Sequence, residues 1–327
     1  MGSRIRRAGV KGGLKTAAVL WLAGLVSLPA HADELFPEPA YVSLRESGQV
    51  AKYPGQVIWP GGPKMLYNSV TPDGRVLVVS SPKDGGVYFF DTATGRHSAV
   101  TRTGKGAKGL KISPDGKEVY VSNEADDTVS VVDVATRRVV ATIATDDMPH
   151  NVRFTRDGKT AYATLQGGAG LGVIDTRARK LVRVIPTPGI DAPHNLDLSA
   201  DERLAFIRGV SHQVGVLDLV SGEMRKIIPV GQGHAGIDVI PNGKLVFTGA
   251  IADDVVTVID ADTLAIVKRI KVGFGPHGVR ASKDSRYLYV SVTADDEVCV
   301  IDIATLAVVK KYAVASFPFW VGVRGNP

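Results

Sequence analysis

Short runs that alternate apolar and polar residues fill the chain after about residue 40, and polar turns separate them. Alternation with a period of two is typical of a half-buried β-strand. The clearest stretch predicts four short strands, at residues 109–113, 118–123, 128–133 and 138–143, with a tight Asp-Gly turn at 114–117. No helical period interrupts this pattern, so the sequence predicts an all-β fold.

This unit of four strands is repeated along the chain. One marker is the turn residue between the first two strands, which recurs every 41 to 44 residues at Asp73, Asp115, Asp157, Asp201, Asn242 and Asp284. A second marker is the Asp that ends each Val-rich third strand, which recurs every 42 or 43 residues at Asp91, Asp133, Asp175, Asp218, Asp260 and Asp302. Four antiparallel strands in about 42 residues predict one blade of a β-propeller.

The number of blades follows from the two ends of the chain. Six complete repeats lie between residues 63 and 317. The segment at about residues 40–62 matches the second, third and fourth strands of a repeat but lacks a first strand. Residues 318–325 supply that strand. We therefore predict a single seven-bladed β-propeller domain over residues 33–327, whose closing blade combines both ends and leaves no exposed sheet edge.

Residues 119–133, which read VYVSNEADDTVSVVD, resemble the YVTN-type β-propeller repeat family. The resemblance extends over nearly the whole chain after the first 32 residues and implies a secreted seven-bladed propeller. The architecture is also similar, more distantly, to the propeller of the haem-d nitrite reductases and to lactonase-type propellers. Because one fold serves many chemistries, the resemblance leaves the function open.

The first 32 residues have the pattern of a secretory signal peptide. Five cations and no acid precede an apolar run at 16–30, and Ala30-His31-Ala32 follows. The run is shorter than the roughly 20 residues that a membrane span needs. Cleavage after Ala32 would leave no integral membrane segment, and we expect the protein in the periplasm, although secretion remains an alternative.

The same cleavage changes the meaning of the charge. The formal net charge of +6 falls to +1 once the five leading cations are removed, so no nucleic-acid partner is expected. The single cysteine, Cys299, excludes an intramolecular disulfide, a thiolate-rich metal site and a haem attached through two cysteines. Its place in a third strand predicts a small packing residue.

Histidines concentrate where the chain enters the first strand of each blade, which lines the central channel. The seven residues at that position are Leu66, Lys108, His150, His194, Ala235, His277 and Phe319. In the fifth blade, His234 lies one residue earlier. Four successive blades therefore place a histidine at the same mouth of the channel.

The loop between the second and third strands reaches the same face of the propeller. The residues that we predict to bind a ligand on this face are Lys108, Glu124, Gln166, Arg208, His212 and Trp320. The candidate metal ligands are His150, His194, His234 and His277, because convergent imidazoles suit copper, zinc or haem iron. Two other interpretations stay open: the histidines pack neighbouring blades together, or they bind an organic ligand.

A propeller without a shared catalytic constellation favours a binding or accessory protein over an enzyme, with a protein partner or a small ligand at the histidine-bearing face. The alternative is a metal- or haem-binding protein of redox chemistry or cofactor maturation that uses the same histidines. Lactone hydrolysis is a third hypothesis. It would need a metal held by carboxylates, and this face offers few acids beyond Glu124 and Asp126.

Overall fold

The computed structural model describes residues 34–145, 147–168 and 170–324. The predicted signal peptide, at residues 1–32, lies outside them. Within the described residues, 28 strands form seven four-stranded antiparallel sheets. The predicted seven-bladed propeller is therefore confirmed. The second blade also carries a short 3₁₀ helix, Glu124–Asp126, where the sequence predicted a loop.

The strands follow the chain in order. Strands β1 to β3 are Ala40–Leu44, Gln49–Tyr53 and Val57–Pro60. The first blade holds β4 to β7, which are Asn68–Val70, Val76–Ser81, Gly86–Asp91 and Thr101–Arg102. The second blade holds β8 to β11, which are Ala107–Ile112, Glu118–Asn123, Thr128–Asp133 and Arg138–Ala144. The third holds β12 to β15, which are Pro149–Phe154, Thr160–Leu165, Gly170–Asp175 and Lys180–Pro186.

The fourth blade holds β16 to β19, which are Pro193–Leu198, Leu204–Gly209, Gln213–Asp218 and Met224–Pro229. The fifth holds β20 to β23, which are Ile237–Val239, Leu245–Thr248, Val255–Asp260 and Ile266–Lys271. The sixth holds β24 to β27, which are Pro276–Ala281, Tyr287–Val292, Glu297–Asp302 and Ala307–Ala313. The last strand, β28, is Pro318–Val323.

The closing blade has the strand order β28-β1-β2-β3, as predicted from the two ends of the chain. Val42 of β1 lies opposite Val321 of β28 in antiparallel register. Phe36 precedes this blade and stacks between Tyr53 and Tyr289, with ring centroids 5.1 Å and 4.8 Å apart. Apolar and aromatic contacts therefore join the closing blade to the sixth.

The innermost strands β4, β8, β12, β16, β20, β24 and β28 contact one another in turn around the central channel. Each runs in the same direction along it. We call the end where these strands begin the upper mouth, and the end where they meet their Asp-Gly turns the lower mouth. Apolar side chains of adjacent blades pack between the sheets, and the outermost strands are largely exposed. Within the described residues, no helix is long and apolar enough to span a membrane.

The repeated turns have the geometry that their residues predict. Oδ1 of Asp133 accepts hydrogen bonds from the backbone and the hydroxyl of Thr136, both at 2.7 Å. Glu202 and Ser285 have φ angles of 59° and 60°, in the left-handed region that glycine occupies in the sister turns. A non-glycine residue there costs about 1–2 kcal/mol, so these two turns carry local strain. Cys299 is fully buried, as expected for a packing residue.

The strands that carry a Pro-His pair are irregular directly after the proline. The register shifts between Pro149 and Val152, and again between Pro276 and Val279. A bulge of this kind changes the direction in which side chains point. The fifth blade lacks the pair, and its first strand begins only at Ile237, so His234 lies in the loop before the strand.

Candidate functional site

Four imidazole rings form a continuous row at the upper mouth. The ring centroids of His150 and His194 are 3.7 Å apart, and the planes are nearly parallel at 27°. His194 and His234 follow at 4.5 Å, and His234 and His277 at 5.3 Å. His150, His194 and His277 are buried, while His234 is partly exposed. The repeat therefore brings together all four histidines that the sequence singled out.

His150 differs from the other three because both of its ring nitrogens have partners. Nε2 lies 2.7 Å from the phenolic oxygen of Tyr67, and Nδ1 contacts Oε1 of Glu124. The Tyr67 hydroxyl is fully buried, and burial raises its pKa, so this side chain stays neutral. His150 is thus held in a hydrogen-bonded network and has no nitrogen left for a metal.

Glu124 connects this network to the surface. Its Oε2 lies 2.5 Å from Nζ of Lys108, whose side chain is 35% exposed. Burial alone would raise the pKa of Glu124. The hydrogen bond and charge of His150, together with Lys108, outweigh that effect and lower the pKa below its usual range. The predicted residues Lys108 and Glu124 therefore meet at the site, as a buried carboxylate and a cation that reaches solvent.

His194 and His277 each leave one buried nitrogen without a hydrogen-bond partner among the described residues, Nε2 in both cases. Nδ1 of His277 donates to the carbonyl oxygen of Phe319 at 2.9 Å, so Nε2 carries the free lone pair when the ring is neutral. The side-chain amide of Gln166 lies 3.3 Å from Nδ1 of His194. Both rings are thus held through Nδ1. Because the amide nitrogen of Gln166 can only donate, Nδ1 of His194 accepts and Nε2 carries the ring proton; Nε2 becomes the free acceptor, as in His277, when the amide is turned so that its oxygen faces Nδ1.

His194, His234 and His277 offer one ligand nitrogen each, and these atoms lie within 4.8 Å of one another. Burial and neighbouring charges lower the pKa of His194 and His277 well below 6.5, and the pKa of His234 to about 4. The three rings are therefore neutral near pH 7, which is the form that binds a metal ion. These three residues form a candidate metal site, in which small shifts of the rings would bring all three nitrogens to bonding distance of one ion.

Arg208 is fully buried and does not present its charge to the mouth. Its guanidinium donates to the backbone carbonyls of Gly209, Gln213 and Gly231, at 3.2 Å, 3.0 Å and 2.8 Å, and also contacts that of Gly233. Desolvation lowers its pKa to about 9. The side chain ties the loop of the fourth blade to the loop that carries His234, so its contacts are structural.

His212 and Trp320 lie on the predicted face of the propeller but differ in their relation to the histidine row. The side chain of His212 is exposed, and among the described residues no ring contact joins it to the histidine row. Trp320 is buried, with its ring centroid 4.6 Å from Tyr67 and 5.9 Å from His277. It forms the floor below the histidines.

Two residues of this site were missed by the sequence reasoning. Tyr67 belongs to the first blade, yet it reaches His150 of the third. Phe319 supplies the carbonyl that orients His277, and its ring lies 4.1 Å from that imidazole. Phe319 occupies the histidine position in the closing blade, which was a usable signal. Tyr67 follows that position in the first blade, and its contact with His150 of the third blade results from the circular arrangement of the blades, which the sequence does not show.

The fold and this site define a seven-bladed β-propeller with a histidine-lined channel mouth. Residues 60–201 match the family model of the YNCE-like β-propeller. Together with the fold, this match confirms the resemblance to a β-propeller repeat family that the sequence predicted. A comparison with curated proteins finds no match.

Solved structures of other propellers are similar to this chain. Hydrazine synthase of Kuenenia stuttgartiensis has a TM-score of 0.73 and 21% identity, and the match covers 80% of this chain and 90% of that chain. The dihydro-heme d1 dehydrogenase NirN, in complex with DHE, has a TM-score of 0.68 and 21% identity, with 93% and 79% covered. A functionally unknown protein from Desulfotomaculum acetoxidans DSM 771 has a TM-score of 0.74 and 15% identity, with 89% and 100% covered. At these identities, the similarity concerns the fold.

Proposed function

We propose that this protein is a periplasmic binding or accessory protein that holds a transition-metal ion at the upper mouth, through His194, His234 and His277. The observation that carries the proposal is the convergence of three neutral imidazoles, two of which have a buried nitrogen without a partner. A buried polar atom without a hydrogen bond costs about 1–3 kcal/mol. Two such atoms in one cluster indicate that these histidines bind a ligand and do not serve only to pack the blades together.

The donor set favours copper or zinc. Imidazole nitrogen is a borderline donor that suits both ions, whereas magnesium and calcium prefer carboxylate and carbonyl oxygen. Three protein ligands leave a coordination position open, as in zinc sites that also bind water or a small ligand. The hydrogen bond from His277 to Phe319 is the kind of second contact that fixes the orientation of a metal-binding ring.

The network beside the ligands supports recognition at that open position. His150 stacks on His194 and is itself held by Glu124 and Tyr67. Lys108 brings a cation toward solvent at the same mouth. A small anionic ligand, or an acidic side chain of a partner protein, would meet both the ion and this cation.

A haem-type cofactor is the second candidate, since the similar propeller NirN was solved in complex with DHE. A histidine of the row would then supply the nitrogen that binds the haem iron. The spacing of the rings favours the ion, because three ligand nitrogens lie within 4.8 Å of one another. Haem titration followed by absorption would separate the two, since only haem gives a Soret band that is lost with a histidine variant.

The test is metal binding by protein purified without a histidine tag. We expect about one copper or zinc ion per chain, and calorimetric titration should give an affinity that falls by at least about a hundredfold in His194→Ala and His277→Ala. His212→Ala is the matched control, because it removes an exposed histidine from the same face. Its affinity should stay that of the unsubstituted protein.

Two results would overturn the proposal. One is a protein that remains free of metal after incubation with copper and zinc and gives no heat of binding. The other is an affinity that His212→Ala lowers as much as His277→Ala. The periplasmic location depends on the predicted signal peptide, and cell fractionation with a version lacking residues 1–32 tests it separately.

A further inference from the structure

A second site lies at the opposite end of the channel, and the metal proposal does not involve it. The lower mouth opens into a cavity of about 470 Å³, within the size range of small-molecule pockets. Its walls are largely apolar and include Ile112, Phe154 and Val239. Its floor contains charged residues of the innermost strands.

These charges form one layer across the channel. The spacing of the repeat places five ionisable residues at equivalent positions of successive innermost strands, namely Lys111, Arg153, Asp197, Asp238 and Arg280. The layer holds three cations and two carboxylates. One positive charge therefore remains unbalanced.

Both carboxylates of this layer are already bound. Oδ1 of Asp197 lies 2.6 Å from Nε of Arg153, and its Oδ2 accepts from the backbone of Val239 at 2.9 Å. Oδ1 of Asp238 lies 2.6 Å from a guanidinium nitrogen of Arg280. The two arginines are thus matched by the two carboxylates.

Lys111 is the cation that remains. Its side chain lines the cavity and is only 8% exposed, and in the part of the chain that the structure describes it makes no hydrogen bond or ion pair. Its neighbours at this level are Ser69 in the first blade and Arg153 in the third, so no carboxylate flanks it. Burial, with the charges of Arg153 and Arg280, outweighs the opposing charges of Asp197 and Asp238 and lowers the pKa of Lys111 well below 10.5. An unpaired buried cation is costly unless a ligand supplies the opposite charge.

We propose that the lower mouth binds an organic monocarboxylate, whose carboxylate pairs with Lys111 and whose apolar body lies against Ile112, Phe154 and Val239. A single negative charge balances the layer. The apolar walls favour a hydrocarbon or aromatic body over a bare inorganic anion. At the rim, Arg156 is paired with Glu202, and Lys283 is the cation that would attract such an anion toward the cavity.

Calorimetric titration with octanoate tests the proposal, with octanamide and acetate as comparisons. Octanoate should bind once per chain. Octanamide lacks the charge and acetate lacks the apolar body, so each should bind at least about tenfold more weakly. Lys111→Met should lower the octanoate affinity by at least about tenfold, whereas Lys117→Met, which changes an exposed lysine of the nearby turn, should not.

A second measurement uses the unsubstituted protein and so does not depend on the folding of a variant. Octanoate should protect Lys111, but not Lys117, from an amine-reactive acetylating reagent, as read by mass spectrometry. Equal octanoate affinity in Lys111→Met, equal binding of octanamide, or labelling of Lys111 that octanoate leaves unchanged would each overturn the proposal. His277→Ala should not affect octanoate, which keeps this result independent of the metal site.

Discussion

The phenolic oxygen of Tyr67 lies 2.7 Å from Nε2 of His150, although the two residues belong to the first and third blades. The contact passes across the upper mouth, over the second blade, whose residue at the position of Tyr67 is Gly109. It removes His150 from the set of histidines with a free nitrogen. The row of four is therefore divided into three potential metal ligands and one residue that supports them.

Tyr67→Phe tests this division. We expect the free energy of unfolding to fall by about 1 kcal/mol, the usual contribution of a buried hydrogen bond. Zinc affinity should change less than about threefold, because Tyr67 contacts no proposed ligand nitrogen. Chemical denaturation and calorimetric titration measure the two effects. A large loss of zinc affinity would mean that His150 belongs to the ligand set.

Metal binding should stabilise the fold. A ligand that binds only the folded state at a concentration of 100 times its Kd adds about 2.7 kcal/mol, so zinc or copper should raise the melting temperature and a chelator should reverse the rise. His234→Ala should abolish this stabilisation. An equal rise in that variant would place the ion elsewhere.

The metal-free protein should lose stability in mild acid. The pKa values of His194, His234 and His277 are lowered in the folded state, so below pH 6.5 the unfolded chain binds more protons than the folded one. The free energy of unfolding should therefore fall as the pH falls from 6.5 toward about 4, the pKa of His234. His277→Asn should reduce this slope in urea unfolding with chelator present. A slope that is unchanged in His277→Asn would contradict this assignment.

Glu124→Gln should destabilise the protein more than Lys108→Met does. The glutamine keeps the shape but loses the charge that bonds His150 and Lys108, and charged hydrogen bonds contribute about 1.5–3 kcal/mol. Lys108→Met should cost less than about 1 kcal/mol, since Lys108 is partly exposed and Glu124 retains His150. Thermal unfolding of both variants decides the order. The reverse order would show that Lys108, and not His150, is the important partner.

Lys111→Met should stabilise the protein without ligand. Replacing a buried, unpaired ammonium by an apolar chain of similar length removes its desolvation cost, with an expected gain of about 1–3 kcal/mol near pH 7. The folded-state pKa of Lys111 lies below 10.5, so the unfolded state binds more protons and stability should rise with pH toward that value. The variant should lack this rise. A less stable Lys111→Met protein would mean that the ammonium has a favourable partner.

The fold could be predicted from the sequence because every repeat carries the same turn chemistry. Asp133 caps its turn, and Glu202 and Ser285 have the left-handed conformation that glycine adopts in the sister turns. The closing blade could be assigned because β1 and β28 each match one strand of the repeat. These features are local, and repetition at 42 residues makes each of them visible several times.

The site could be predicted only in part. The spacing of the repeat was enough to predict that the four histidines lie at one mouth. It could not predict the direction in which each ring points, because this depends on the irregularities after Pro149 and Pro276 and on the carbonyl of Phe319. The burial of Arg208 depends on backbone carbonyls, which a sequence pattern does not reveal. The charged residues of the layer around Lys111 recur at the same interval of about 42 residues as the histidines. This repetition, together with the alternation of side-chain direction along a strand, could have identified the layer from the sequence.

The ring of blades can close only after the strand β28 has been synthesised. Strand β28, at Pro318–Val323, is made after the other 27 described strands, yet it pairs with β1, the first of them. Until it is synthesised, six blades form an open arc, His277 lacks its carbonyl acceptor and neither mouth of the channel is complete. A product truncated before Pro318 would therefore keep the proposed binding residues of both mouths but lack the carbonyl that orients His277 and the strand that closes the ring.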